Sequence, residues 1–307
     1  MDAALVARGL ARGLHVAASL SVYGAALSHA CIAPVALRGA SAEVAAHVVG
    51  CIRDVIRLGL GIAIAAGAIW LVLEAIYITG GDRLADGVAV LGPVLYETNF
   101  GHLLAIRLAL LVLATAVFGR GCSGGRTIAS AGLAGAAVVL QAWLGHGAAM
   151  GDTEGHLLLA SLALHLLAAG AWLGGLAPLL IIAGALPHAA SHTAASRFSI
   201  LGTACVLVLA ATTLLQGWYL VGGISGLFDT AYGRVALAKL AFFVVLLGFA
   251  SANRFRLVPA LITANASAAQ TQIRGSILVE ALVGLLVIVL AGILLNLSPN
   301  MSMVTGS

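Results

Sequence analysis

Residues 156–183 read HLLLASLALHLLAAGAWLGGLAPLLIIA, 28 consecutive positions without Asp, Glu, Lys or Arg. An α-helix rises about 1.5 Å per residue, so about 20 apolar residues cross the hydrocarbon core of a bilayer. This run is long enough, and it is too continuous for the ~10-residue alternating strands of a membrane barrel. Seven comparable runs accompany it, near 11–35, 55–78, 98–118, 127–148, 197–221, 233–252 and 273–296. Between them lie breaks such as TGGDRLADG (79–87), GRGCSGGR (119–126) and GGISGLFDT (222–230), whose Gly, Asp and Ser end helices. The expected fold class is all-α: a polytopic membrane protein forming one domain over 1–307, a bundle of eight transmembrane helices.

Composition agrees. The chain is 62% hydrophobic and 8% charged, far from the roughly 25% charged residues of soluble domains. Its net charge of +4 comes from 14 arginines and one lysine that are scattered, not clustered. That pattern suits loop ends beside a membrane and gives no reason to expect a nucleic-acid partner. The four cysteines, Cys31, Cys51, Cys122 and Cys205, form no CxxC pair, which excludes a zinc ribbon or a disulfide framework. No signal peptide is expected, because no small-residue cleavage site follows Arg8 and Arg12 and their apolar run. Nothing resembles HExxH, a phosphate-binding Gly-rich loop or an activated nucleophile, so an enzyme is not expected.

Arginine distribution orients the bundle. One set of loops carries Arg38, Arg53, Arg57, Arg120, Arg126, Arg197, Arg254, Arg256 and Arg274; the opposite set carries Arg8, Arg12, Arg83 and Arg234. The richer set is expected in the cytoplasm and both termini outside, in the periplasm of a bacterial inner membrane. His15, Glu74, His102, Gln141, His146, Thr213 and Gln216 then lie toward outer helix ends, and the cysteines in the inner half.

Polar residues concentrate in WLGHGAAMGDTEGHLLLASLALH (143–165). His146 and Met150 are four apart and share a face if the helix continues. Imidazole with thioether suits Cu(I); imidazole with carboxylate suits Cu(II) or Zn. The short GDTEG loop brings His146 close to His156. His165, nine residues after His156, lies on the opposite face and about 13 Å deeper. An imidazole at that depth points into the bundle or a wet cavity and reads as functional. Two stations result: a shallow one at His146 and His156, with Met150 and His102 as further candidates, and a deep one at His165. His102 and His15 are equally explained as satisfied polar groups at helix ends, and Met150 as packing. Glu74 is a ligand, an interfacial charge, or a partner of Arg107 or Arg234. Glu280 is expected to pair with an arginine.

The segment HLLLASLALHLLAAGAWLGGLAPLL (156–180) resembles the signature of the CopD family of bacterial copper-resistance membrane proteins, through His165, Trp172, Gly174, Gly175, Leu176 and Pro178. GHG (145–147) is similar to the family's Gly-His pair. RFSILGTACVLVLAATTLLQGWYL (197–220) and DTAYGRVALAKLAFFVVLLGFASANRFRLVPAL (229–261) extend the likeness through Thr230, Tyr232, Gly233, Arg234, Lys239, Asn253, Arg254 and Pro259. The resemblance covers helices four to eight and implies eight spans, copper as the ion handled, and a separate periplasmic CopC-type donor. The expected function is copper binding with movement from periplasm to cytoplasm, the metal being held by His146, His156, His165, Met150, His102 and Glu74. Two alternatives stay open: a b-type haem protein using two transmembrane histidines, for which His102 and His146 have matched depth, and a copper-binding membrane protein that does not transport.

Overall fold

A computed structural model describes residues 3–80, 83–119, 124–144, 153–221 and 223–294. Eight stretches are long and apolar enough to span a bilayer: Val6–Ala36, Ala42–Thr79, Asn99–Phe118, Gly124–Leu144, Thr153–Ala185, His188–Leu220, Ala231–Ala260 and Ala266–Gly292. The expected number of spans therefore holds. Their elements are α1 (Ala3–Cys31) with α2 (Ala33–Ala36), α3 (Ala42–Thr79), α6 (Asn99–Gly119), α7 (Gly124–Val139), α8 (Thr153–Leu173) with α9 (Leu176–Ala185), α10 (His188–Leu220), α12 (Ala231–Ala252) with α13 (Val258–Ala260), and α14 (Ala266–Leu294). Short helices α4 (Leu84–Ala89), α5 (Leu91–Glu97) and α11 (Gly223–Asp229) lie between spans at the end assigned outward.

Four helices, α1, α3, α10 and α14, start seven or more residues before their apolar runs, and the first two show why. α3 begins at Ala42, not near 55, because Ser41 caps it by accepting from Val44 N at 3.3 Å. Its charged stretch stays helical with Arg57 and Asp54 paired on an exposed face. α1 runs through Arg8 and Arg12, since α3 absorbs both charges. The Arg8 guanidinium stacks 3.6 Å from the Tyr77 ring centre, and Arg12 lies 5.2 Å from that of Trp70.

The second half of the chain repeats the first. Seven-residue α5 leads into Thr98 and α6; seven-residue α11 leads into Thr230 and α12. At both junctions the threonine hydroxyl accepts from the amide three residues on, Gly101 or Gly233, each at 2.9 Å. It also donates to the carbonyl four residues back, Val94 at 2.6 Å or Gly226 at 2.7 Å. A Cβ on Gly101 or Gly233 would lie 2.0 Å from that same carbonyl oxygen, so the turn requires glycine in both.

The halves meet along α1 and α8. A Cβ on Gly24 would stand 2.1 Å from Gly170 O, and one on Gly174 would stand 2.3 Å from Leu20 O. Leu20 and Gly170 each precede their glycine by four residues, so the contact is reciprocal. Each unit has four spans, and an even number preserves direction, which places the pseudo-twofold along the membrane normal. The first and fifth spans, at this contact, are each 61% buried; the seventh, at the edge, is 6% buried.

Candidate metal site

His165 projects from α8 toward α10. Its Nδ1 is 2.9 Å from Thr212 Oγ1, and that hydroxyl lies 2.7 Å from Val208 O and 3.1 Å from Leu209 O. When that hydroxyl gives its one proton to its own helix it accepts from the imidazole. The ring is then the Nδ1–H tautomer, and Nε2 keeps its lone pair. The ring borders two cavities of 140 and 160 Å³, both also lined by Gln216, Tyr232 and Lys239. Lys239 is the charged group within electrostatic reach of the ring.

Trp172, seven residues below His165, borders the 140 Å³ cavity and also a 330 Å³ cavity toward the opposite end. Asn253, Arg254 and Glu280 line that third cavity. Glu280 is 2% exposed and accepts from Asn253 Nδ2, not from an arginine as expected. The π-helical turn Asn253–Leu257 presents Asn253 to it, while Arg254 Nη1 donates to Ser199 O at 3.0 Å and Thr203 Oγ1 at 2.8 Å.

A second buried imidazole occupies the matching place in the first half. His15 precedes Gly24 by nine residues, as His165 precedes Gly174. Its Nδ1 donates to Ala63 O of α3 at 2.7 Å. A carbonyl only accepts, so the tautomer is again Nδ1–H, and Nε2 is buried without a partner. Gly67 makes room, since a Cβ there would lie 2.8 Å from the ring. Arg107, fully buried, donates through Nε to Ala137 O at 2.9 Å and through Nη1 to Gln141 Oε1. From sequence His15 is one more outer polar residue; the His–Gly spacing common to both halves is the signal that singles it out.

The remaining expected ligands do not gather. Glu74 accepts from Arg8 Nη1 at 3.4 Å and Trp70 Nε1 at 3.3 Å, so its partner is neither Arg107 nor Arg234. His102 and His156 are exposed in the first turns of α6 and α8. His146 and Met150 lie outside the described residues. Among the described residues, no three His, Cys, Asp or Glu side chains converge as metal ligands. Of the cysteines, Cys31 is exposed, Cys51 half-buried and Cys205 buried; Cys122 is outside the described residues.

Eight helical spans with an imidazole lining cavities between them define a multi-pass membrane protein. Residues 1–157 match the family model described as Copper resistance protein D-like, N-terminal domain, and residues 192–294 match Copper resistance protein D. The chain belongs to the copper resistance protein D family. Copper resistance protein D of Pseudomonas syringae pv. tomato is 30% identical, over 75% of this chain and 79% of that protein. Copper transport protein CutJ of Bacillus subtilis (strain 168) is 31% identical over 36% of this chain and 21% of that protein. Inner membrane protein YebZ of Escherichia coli (strain K12) is 32% identical over 39% of this chain and 42% of that protein. No solved structure matches.

Proposed function

We propose that this protein carries copper across the inner membrane, from periplasm to cytoplasm, with His165 Nε2 as the ligand within the bilayer. The family membership and the names of the relatives support copper and this membrane. One observation carries the assignment to His165. The bond to Thr212 supports the Nδ1–H tautomer, with an unprotonated Nε2 on a ring bordering two cavities, the state in which imidazole ligates a soft cation. His146, Met150 and His156 would receive copper at the outer mouth, handed over by a CopC-type donor. Glu74, engaged by Arg8 and Trp70, and His102, exposed, are left out of this route. Below His165 the ion would pass Trp172 into the cavity lined by Asn253 and Glu280.

Two substitutions test the reading. His165→Ala is expected to abolish copper accumulation in cells at unchanged protein level. Thr212→Val removes the acceptor that orients the ring and is expected to lower copper affinity by about 10–100-fold, with Thr212→Ser close to wild type. Normal accumulation by His165→Ala, or wild-type affinity in Thr212→Val, rejects the assignment. Copper flux into sealed vesicles of known orientation tests the direction.

A further inference from the structure

We infer that the cavity beside Lys239 binds a small monovalent anion of the halide class. Lys239 follows Thr230 by nine residues, as Arg107 follows Thr98, so the two cations hold equivalent positions. Arg107 donates to two acceptors of the fourth span, Ala137 O and Gln141 Oε1, while its Nη2 is buried without a partner. Lys239 has nothing comparable: the eighth span faces it with Val287, Ile288, Ala291 and Gly292, and a cavity of 160 Å³ lies between. Among the described residues no carboxylate lines that cavity, and the ion pairs are Arg8–Glu74 and Arg57–Asp54.

Three groups of N–H donors border the space. Lys239 contributes its ammonium. Arg12 contributes Nε, buried without a partner while Nη2 donates to Leu144 O at 3.1 Å. Gln141 contributes Nε2, also buried without a partner. Its amide orientation is fixed by chemistry: Arg107 can only donate, so Oε1 faces Arg107 and the NH₂ faces away. Glu74 lies within electrostatic reach of Arg12, so the uncompensated positive charge at this cavity inside the bilayer is that of Lys239, beside an unpaired amide. An anion supplies what Ala137 O and Gln141 Oε1 supply to Arg107. The donors come from separate helices, and one arm of the Arg12 fork is already engaged. A spherical ion therefore suits them better than a carboxylate or phosphate, which favours a free bidentate fork.

The site follows from this charge inventory and does not rest on copper being the cargo. If copper is, the bare Nε2 of His165 and the ammonium of Lys239 on one cavity let a soft cation and its anion sit together with little net charge.

The test uses copper-free full-length protein in detergent. Bromide replaces gluconate at constant ionic strength while thermal unfolding is followed. The wild-type melting temperature is expected to rise saturably with bromide. Lys239→Met is expected to need about tenfold more bromide for the same rise, and Lys239→Arg to stay near wild type. Crystals grown in bromide should show anomalous density among Arg12, Gln141 and Lys239, a readout that needs no variant. Melting indifferent to bromide, bromide confined to the protein surface, or a wild-type response in Lys239→Met overturns the inference. Copper is absent throughout, so failure of the copper reading would leave these results unchanged.

Discussion

In the first half of the molecule His15 and Arg107 are both fully buried, the histidine against α3 and the arginine against α7. In the second half His165 and Lys239, at the matching positions, border open cavities. The bulk packing differs in the same sense: the second, third and fourth spans are 39%, 28% and 50% buried, their counterparts 28%, 6% and 22%. One four-helix plan thus produces a sealed unit and an open one. The cause is local. Gln141 and the Ala137 carbonyl each accept from Arg107 in the first site, whereas aliphatic residues and glycine stand in the corresponding wall of the second. The repeat lets one copy bury its imidazole while its twin leaves the His165 ring beside open space.

The strongest way to break the comparison is at the contact the halves share. Leucine at Gly24 or Gly174 would drive a side chain into backbone atoms that the first methyl carbon already meets at 2.1 or 2.3 Å. These are main-chain atoms of a facing helix, so no side-chain repacking relieves the clash. Both variants are expected to lose folded, monodisperse protein altogether, to the same degree if the contact is reciprocal. Gly132→Leu is the control, since nothing lies within 4 Å of a Cβ there, and it should purify as wild type. Size-exclusion profiles of the three variants, expressed side by side, give the measurement.

A smaller effect separates the two cations by sign. Arg107→Met leaves the Gln141 carbonyl oxygen buried without its donor and is expected to destabilise the fold by about 2 kcal/mol. Lys239→Met removes a buried charge that has no ion-pair partner among the described residues. In bromide-free buffer it is expected to be neutral or stabilising by up to about 1 kcal/mol. Thermal melts of the two proteins in gluconate should therefore move in opposite directions, and a comparable loss in both would mean that the second site is as closed as the first.

The sequence was legible where one physical term dominates. Eight long apolar runs mean eight spans, because no polar backbone is tolerated in lipid outside a helix. His165 was legible as an imidazole turned into the bundle, because a polar ring at that depth avoids lipid. Helix starts were not: Ser41 capping and stacking of Arg8 and Arg12 on α3 carry helices past charged residues that hydropathy treats as boundaries. Partners of isolated charges were misread as well. Glu280 takes Asn253 across a π-helical turn, and Glu74 takes Arg8, 66 residues away. The repeat escaped notice because its halves share spacings and not words: His then Gly nine residues on, and Thr-x-aromatic-Gly with a cation nine residues after the threonine. Spacings of that kind acquire meaning only when two helices are seen to cross at their glycines.

The smallest expected effect is the sharpest test of equivalence. Thr98 and Thr230 each cap a span with one hydroxyl that accepts from a glycine amide at 2.9 Å and donates back into the preceding turn. Removing such a cap costs about 1 kcal/mol. Thr98→Ala and Thr230→Ala should therefore lower the melting temperature by equal, modest amounts, and serine should restore most of the loss in both, since it keeps the hydroxyl. The turn is built identically in the sealed and the open half, so its worth should not depend on the cavity beside Lys239. If Thr230→Ala costs clearly more than Thr98→Ala, the cap in the second half also holds α12 against the open cavity. The two units would then differ in their scaffold and not only in what they enclose.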